Sequence, residues 1–247
     1  MLFRILRMEG TIAEKIIYLV MLILVLSFTF SIHEFMHAWV ADRMGDDTPR
    51  RQGRITLNPV AHIDPMGAIM MLLVGFGWAK PVQYNPNNLH KYKRSTCERL
   101  ISLAGVFANL MTAFFAALLI PVIIWLVLKF PVNSDKGVML ESLLVSFFVY
   151  LREYGFLFMA FNLLPIPPLD GYRFISSFIP YNKRHVFEKY SKYSYYVFMG
   201  LFLADLVFNI PILATIVNWV AWPFRIPVDL LVNLIARLLG IPGLLLM

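Results

Sequence analysis

The chain has 247 residues, 59% of them hydrophobic and only 15% charged, with a mean hydropathy of +0.68. That composition excludes an ordinary soluble domain and predicts an integral membrane protein. Its net charge of +7 is interleaved with apolar stretches, so it reads as topology and lipid-surface signal, not as a nucleic-acid footprint; the lone Cys97 excludes an intramolecular disulfide framework.

The first apolar stretch spans residues 12–40 and is expected to end near Gly45. Before its terminal polar motif it covers roughly 30 Å as a helix, the thickness of a bilayer's hydrocarbon core. Arg4, Arg7 and Glu9 precede it, but no short apolar core with a small-residue cleavage site does, so this span is expected to be retained. Residues 42–65 are polar and rich in turn formers. The apolar run 66–79 is broken by Gly67, Gly75 and Gly77, which predicts a short re-entrant or β-hairpin element buried against protein. Residues 80–99 are polar again.

A second span is predicted over 100–128, with a kink at Pro121, and a third over 138–164. The third stops in a run containing Pro165, Pro167 and Pro168, followed by Asp170 and Gly171. After a polar segment, 172–192, a fourth span is predicted over 195–219. Residues 226–239 are amphipathic, with Asp229, Asn233 and Arg237 every four residues, and are expected either in the interface or as a fifth membrane helix. The predicted fold is an all-α polytopic bundle of about four to six membrane segments. It forms one integral membrane domain over 1–247, with a three-helix catalytic core over 12–175 and C-terminal membrane helices over 193–247.

Basic residues set the expected orientation. Three loops carry most of them: Arg43, Arg50, Arg51 and Arg54; then Lys80, Lys91, Lys93, Arg94 and Arg99; then Arg173, Lys183, Arg184, Lys189 and Lys192. Lys129, Lys136, Arg4, Arg7 and Lys15 lie on the other side. The positive-inside rule places the three rich loops in the cytosol.

His33-Glu34-Phe35-Met36-His37 closes the first apolar stretch. Histidines at i and i+4 share one helix face and can ligate one metal ion, and Glu34 can take a proton from a metal-activated water. Without a metal, three ionisable groups at the end of a membrane helix cost a few kcal/mol each or more. The third ligand is expected to be Asp170, turned inward by the proline run, and Asn109 is a candidate donor to the oxyanion. An Asp-Gly pair is also a common turn, and Asn109 can instead bond a neighbouring helix. His62, His90 and His185 are expected to be solvated or capping, Asp64 to form a turn and Cys97 to be inert. Asp205 and Asn209 are expected to hydrogen-bond inside the bundle.

These residues resemble the site-2 protease family, the M50-type intramembrane zinc metalloproteases. The resemblance rests on the His-Glu-x-x-His motif at 33–37, on Asn162 to Gly171 as an Asn-x-x-Pro-x-x-x-x-Asp-Gly element, and on Gly105 to Asn109. The stretches 58–67 and 77–82 are similar to the compact branch without PDZ or CBS domains. It implies one zinc per chain on His33, His37 and Asp170, Glu34 as catalytic acid and base, and Asn109 at the oxyanion. It further implies a substrate cleft shaped by Asn162 and Pro165 and flanked by Gly77 and Trp78. The implied partners are a transmembrane protein or peptide substrate and the lipid bilayer of a prokaryotic cytoplasmic membrane, with the active site toward the cytosol and no nucleic acid. Val106 departs from the family, which often has proline there. The competing readings are a non-catalytic zinc-binding membrane scaffold, a transporter, and a membrane hydrolase acting on lipid or soluble peptide.

Overall fold

A computed structural model describes residues 5, 9–74, 77–132, 134–208 and 210–241. Arg4, Arg7, Gly75 and Asn209 lie outside the described residues. Among those described the architecture is all-α, with helices α1 (Ile12–Arg43), α2 (Thr48–Arg51), α3 (Pro65–Val74), α4 (Arg94–Lys129), α5 (Asp135–Leu163), α6 (Asp170–Ser176), α7 (Tyr181–Phe208) and α8 (Ile212–Leu238). Four of these, α1, α4, α5 and α8, are long and apolar enough to cross a membrane. The protein is a multi-pass membrane protein.

Local chemistry sets the helix ends. Thr11 and Glu14 form a reciprocal capping box at the start of α1, satisfying backbone N–H groups that have no helical partner. At the other end Met44 caps the helix and Gly45 follows at φ +110°, a conformation that favours glycine. The Ser134 hydroxyl accepts from Gly137 N–H to open α5.

The bundle is held by small residues that let backbones approach, the usual device where lipid provides no hydrophobic drive between helices. Helix α4 packs along both α5 and α1, and α8 lies across α4 and α5. Ala113 and Ala117 of α4 meet Phe156, Met159 and Ala160 of α5 and Val217, Ala221 and Val232 of α8 in one buried cluster. A Cβ added to Gly155 would stand 2.9 Å from the Ala113 Cβ, closer than side chains pack. Phe28, Phe115, Trp219 and Trp222 are exposed on the outer faces, as lipid contact requires.

Two expectations need correction, and a third narrows to one of its alternatives. The fourth predicted span, 195–219, is interrupted: α7 ends at Phe208 and α8 starts after Pro211, because proline disfavours a helical residue before it and supplies no N–H. Of the two alternatives for the amphipathic stretch 226–239, the structure favours the membrane helix: the stretch forms most of the second half of α8, which is long and apolar enough to cross a membrane. Its Asp229 faces inward and pairs with the buried Arg152 of α5; Arg152 also bonds Glu153, and Glu153 bonds Arg225 at 2.8 Å. Among the described residues of the run 66–79, the first arm is helical (Pro65–Val74) where a hairpin strand was one of the alternatives, and one isolated antiparallel bridge joins Ile63 to Ala79. Gly67 and Gly77 explain the difference. A Cβ on either would clash with the backbone of the other arm, so the glycines serve a close crossing of the helix and the extended arm.

The buried Arg54 secures that crossing. Its guanidinium donates to the carbonyls of Ala61, Lys80 (2.6 Å) and Pro81 (2.8 Å).

Candidate metal centre

His33 and His37 lie one turn apart on α1, both about 7% exposed. Asp170 opens α6, after the chain leaves α5 through the proline run, and is 6% exposed. The three side chains converge. His33 Nε2 and His37 Nε2 are 3.1 Å apart, and Asp170 Oδ2 is 3.2 Å from the first and 3.0 Å from the second. Ligand atoms around a tetrahedral zinc, bound at ~2.0–2.1 Å, are about 3.3–3.4 Å from one another. The observed triangle is close to one face of that tetrahedron, and two imidazoles with one carboxylate suit a catalytic zinc that keeps a fourth position open.

The surroundings fix the ring nitrogens. His37 Nδ1 donates to the Ile101 carbonyl of α4 at 2.7 Å, which leaves the Nε2 lone pair free for a metal. The Asn109 amide lies 3.1 Å from His33 Nδ1, with Nδ2 facing the ring and Oδ1 buried without a partner. A His33 that ligates through Nε2 carries its proton on Nδ1 and needs an acceptor there. Turning the amide over meets both requirements, and an amide's N and O ends are interchangeable by assignment. The orphaned Oδ1 therefore fits a metal-bound His33. Asn109 meets the His33 edge away from Nε2 and is not among the residues lining the cleft, so the contact the structure shows for its side chain is with His33.

Gly105 makes the packing possible. A Cβ there would stand 2.5 Å from His33 Cε1 and closer still to His37 Nε2. Gly171 similarly lets α6 start against the Leu163 carbonyl. Val106 stands in uninterrupted helix with its side chain in the core, so the departure from proline leaves the local backbone regular.

Glu34 is 8% exposed and points into the same cleft, where its Oε2 accepts from Val82 N–H at 2.9 Å. The cleft, about 400 Å³, is mostly apolar and is lined by His33, Glu34, His37 and Asp170, by Gly77 and Trp78, and by Asn162. Asn162 donates to the Phe158 carbonyl at 3.0 Å. Pro165 is exposed and is not part of the lining, whereas Pro168 is. Burial pushes the Tyr84 phenol on the cleft wall above its ordinary 10.0, so it lines the site as a neutral hydroxyl.

Outside the site, His62 departs from expectation. It is 1% exposed, and its Nε2 bonds the Thr56 carbonyl at 2.8 Å. His90 and His185 are exposed as expected. Asp64 accepts from Gly67 N–H at 2.8 Å, forming the expected turn, and Cys97 is buried among apolar neighbours. Asp205 is half-buried.

A family model described as Peptidase family M50 matches residues 21–204. A provisionally named zinc metalloprotease of Bacillus subtilis, YwhC, is 38% identical over 185 residues, covering 75% of this chain and 81% of that protein. Two further relatives bear the provisional zinc metalloprotease name Rip2. The one from Mycobacterium tuberculosis H37Rv is 27% identical, over 70% of this chain and 62% of its own length. The one from Mycolicibacterium smegmatis is 29% identical, over 57% and 50%. No solved structure matches the chain.

Proposed function

The chain belongs to peptidase family M50, and on that premise we propose that it is an intramembrane zinc metalloprotease that hydrolyses peptide bonds within or near transmembrane segments of membrane proteins. The observation that carries this reading is the buried triangle of His33, His37 and Asp170 opening into the cleft that holds Glu34. Those three residues would hold one zinc, which when bound supplies Lewis acidity and activates water at neutral pH.

The chain's own residues supply the rest. Glu34 accepts a proton from the attacking water and delivers it to the leaving amine nitrogen as the C–N bond breaks. Val82 N–H holds one carboxylate oxygen and leaves the other free for that transfer. The apolar walls limit water to the site, and Trp78 and Pro168 border the path of an extended chain. A transmembrane helix hides its amides in internal hydrogen bonds, so the substrate must unwind locally before it can be cut. The basic loops favour a cytosolic opening.

The test is Glu34→Gln, compared with wild type in detergent. Glutamine keeps the size and the acceptor for Val82 but cannot take the proton. Zinc should stay near one per chain while cleavage of a membrane-anchored substrate falls by 10²-fold or more. Turnover near wild type would remove Glu34 from this role, and a wild type that binds no zinc after resupply would overturn the protease reading.

A further inference from the structure

We propose that Arg54 is a positioning residue for cleavage: it grips the Pro81 carbonyl and, through the single peptide group joining Pro81 to Val82, aims the Val82 N–H at the Glu34 carboxylate. The proposal rests on the metalloprotease reading above.

A buried guanidinium is costly unless it is paired. Arg54 is 5% exposed, and among the described residues it forms no ion pair with a carboxylate. All its observed partners are backbone carbonyls: Ala61, Lys80 and Pro81. It sits in the loop between α2 and α3, so a long-range contact that stabilises only its own loop would have stopped at Ala61. Two of its three bonds reach across to the extended arm beside the cleft.

The decisive element is one peptide unit. Its oxygen, Pro81 O, accepts from Arg54 at 2.8 Å, and its N–H, on Val82, donates to Glu34 Oε2 at 2.9 Å. A trans peptide is planar, with C=O and N–H pointing in opposite directions. Fixing the oxygen therefore fixes where the N–H points. A cation on the carbonyl also polarises the amide, making its N–H a stronger donor. The preceding residue is secured independently, because Lys80 N–H donates to the His62 carbonyl at 2.8 Å. Proline at 81 contributes no N–H of its own, and the next N–H, on Val82, is the one that meets Glu34.

The experiment compares wild type, Arg54→Ala, Val82→Pro and the double variant, all as full-length zinc-loaded protein. Zinc per chain, kcat and KM are measured on a membrane-anchored substrate. Val82→Pro removes the N–H and leaves Arg54 intact. Each single variant should keep about one zinc and lose 10–100-fold in kcat, the size usual for partners one step behind a metal site. The double variant should be no more than threefold worse than either single, because both break the same relay. Arg54→Lys carries the test if Arg54→Ala does not fold. A lysine keeps the charge but not the fork, and kcat should fall at least threefold with zinc retained. A kcat within threefold of wild type for Arg54→Ala, losses that multiply in the double variant, or zinc lost together with kcat would overturn the proposal. A wild type that cleaves nothing would instead sink the protease reading, and this one with it.

Discussion

Replacing Gly105 with alanine should empty the metal centre without unfolding the bundle. The added Cβ would lie 2.5 Å from His33 Cε1 and 2.7 Å from His33 Nδ1, and in direct conflict with His37 Nε2, where ordinary contact begins at 3.4 Å. One or both rings must therefore shift by about 0.7–1.0 Å, whereas ligand positions around zinc tolerate only about ±0.2 Å. Both rings are walled in: His37 is tied to Ile101 and His33 abuts Asn109. Zinc affinity should fall at least 100-fold, about 2.7 kcal/mol. Competition against a chromophoric chelator reads the affinity, and cleavage of a membrane-anchored substrate should fall in parallel. Gly155→Ala is the control. Its Cβ would crowd Ala113 and, at 3.0 Å, the Asn109 carbonyl, not the histidines themselves, so it should lower stability while zinc affinity falls far less than in Gly105→Ala. Wild-type zinc affinity in Gly105→Ala would refute the placement of α4 against the two histidines.

Other consequences can be measured separately. Asp229→Ala leaves Arg152 of the buried network with only Glu153, and should destabilise the protein in denaturant titrations by about 2–4 kcal/mol; Arg152→Met combined with Asp229→Leu should recover much of that loss. Asp46 is fully buried. Burial raises its pKa, but hydrogen bonds from Thr48, Asn88 and Asn85 outweigh that and hold it below 3.8. A carboxylate so depressed stabilises the fold above its unfolded pKa, and that contribution is lost as pH falls through the folded value. Asp46→Asn should thus be less stable than wild type by about 1–2 kcal/mol at pH 6, and the gap should close below pH 3.8 at equal zinc loading. Helix breakers placed in a cleaved substrate span should speed its cleavage and helix-strengthening substitutions should slow it; cleavage indifferent to both would contradict the need for unwinding.

What could be read without coordinates follows from how far each relation reaches. The His33–His37 pair is a one-turn relation, so spacing alone carries it. Spans α1, α4 and α5 emerge from hydropathy because lipid demands long apolar runs. Asp170 is separated from the histidines by more than 130 residues, yet its place after a helix-stopping proline run at the end of a span makes it a natural partner. Asn109 shows the limit. Its polarity in an apolar helix marks it as special, but only the packing of α4 on α1 decides that it meets the Nδ1 edge of His33 and not the cleft. Arg54 reads as one more basic loop residue, because its partners are backbone carbonyls and carbonyls leave no trace in composition. The α7–α8 break was signalled by Pro211 and masked by the apolar residues on either side.

The candidate metal centre is attached to α1 at a particular height, and the helix itself acts as a ruler. Trp39 and Arg43 follow His37 on α1, with the Arg43 guanidinium 5.1 Å above the Trp39 ring, a pairing suited to the headgroup level. From His37 to Arg43 the helix rises roughly 9 Å. An unwound substrate covers the same depth in about three residues, whereas a helical one needs six. If the proposed protease activity holds, cut sites should therefore cluster a few residues inside the membrane boundary of a substrate span, wherever its sequence allows those few residues to straighten.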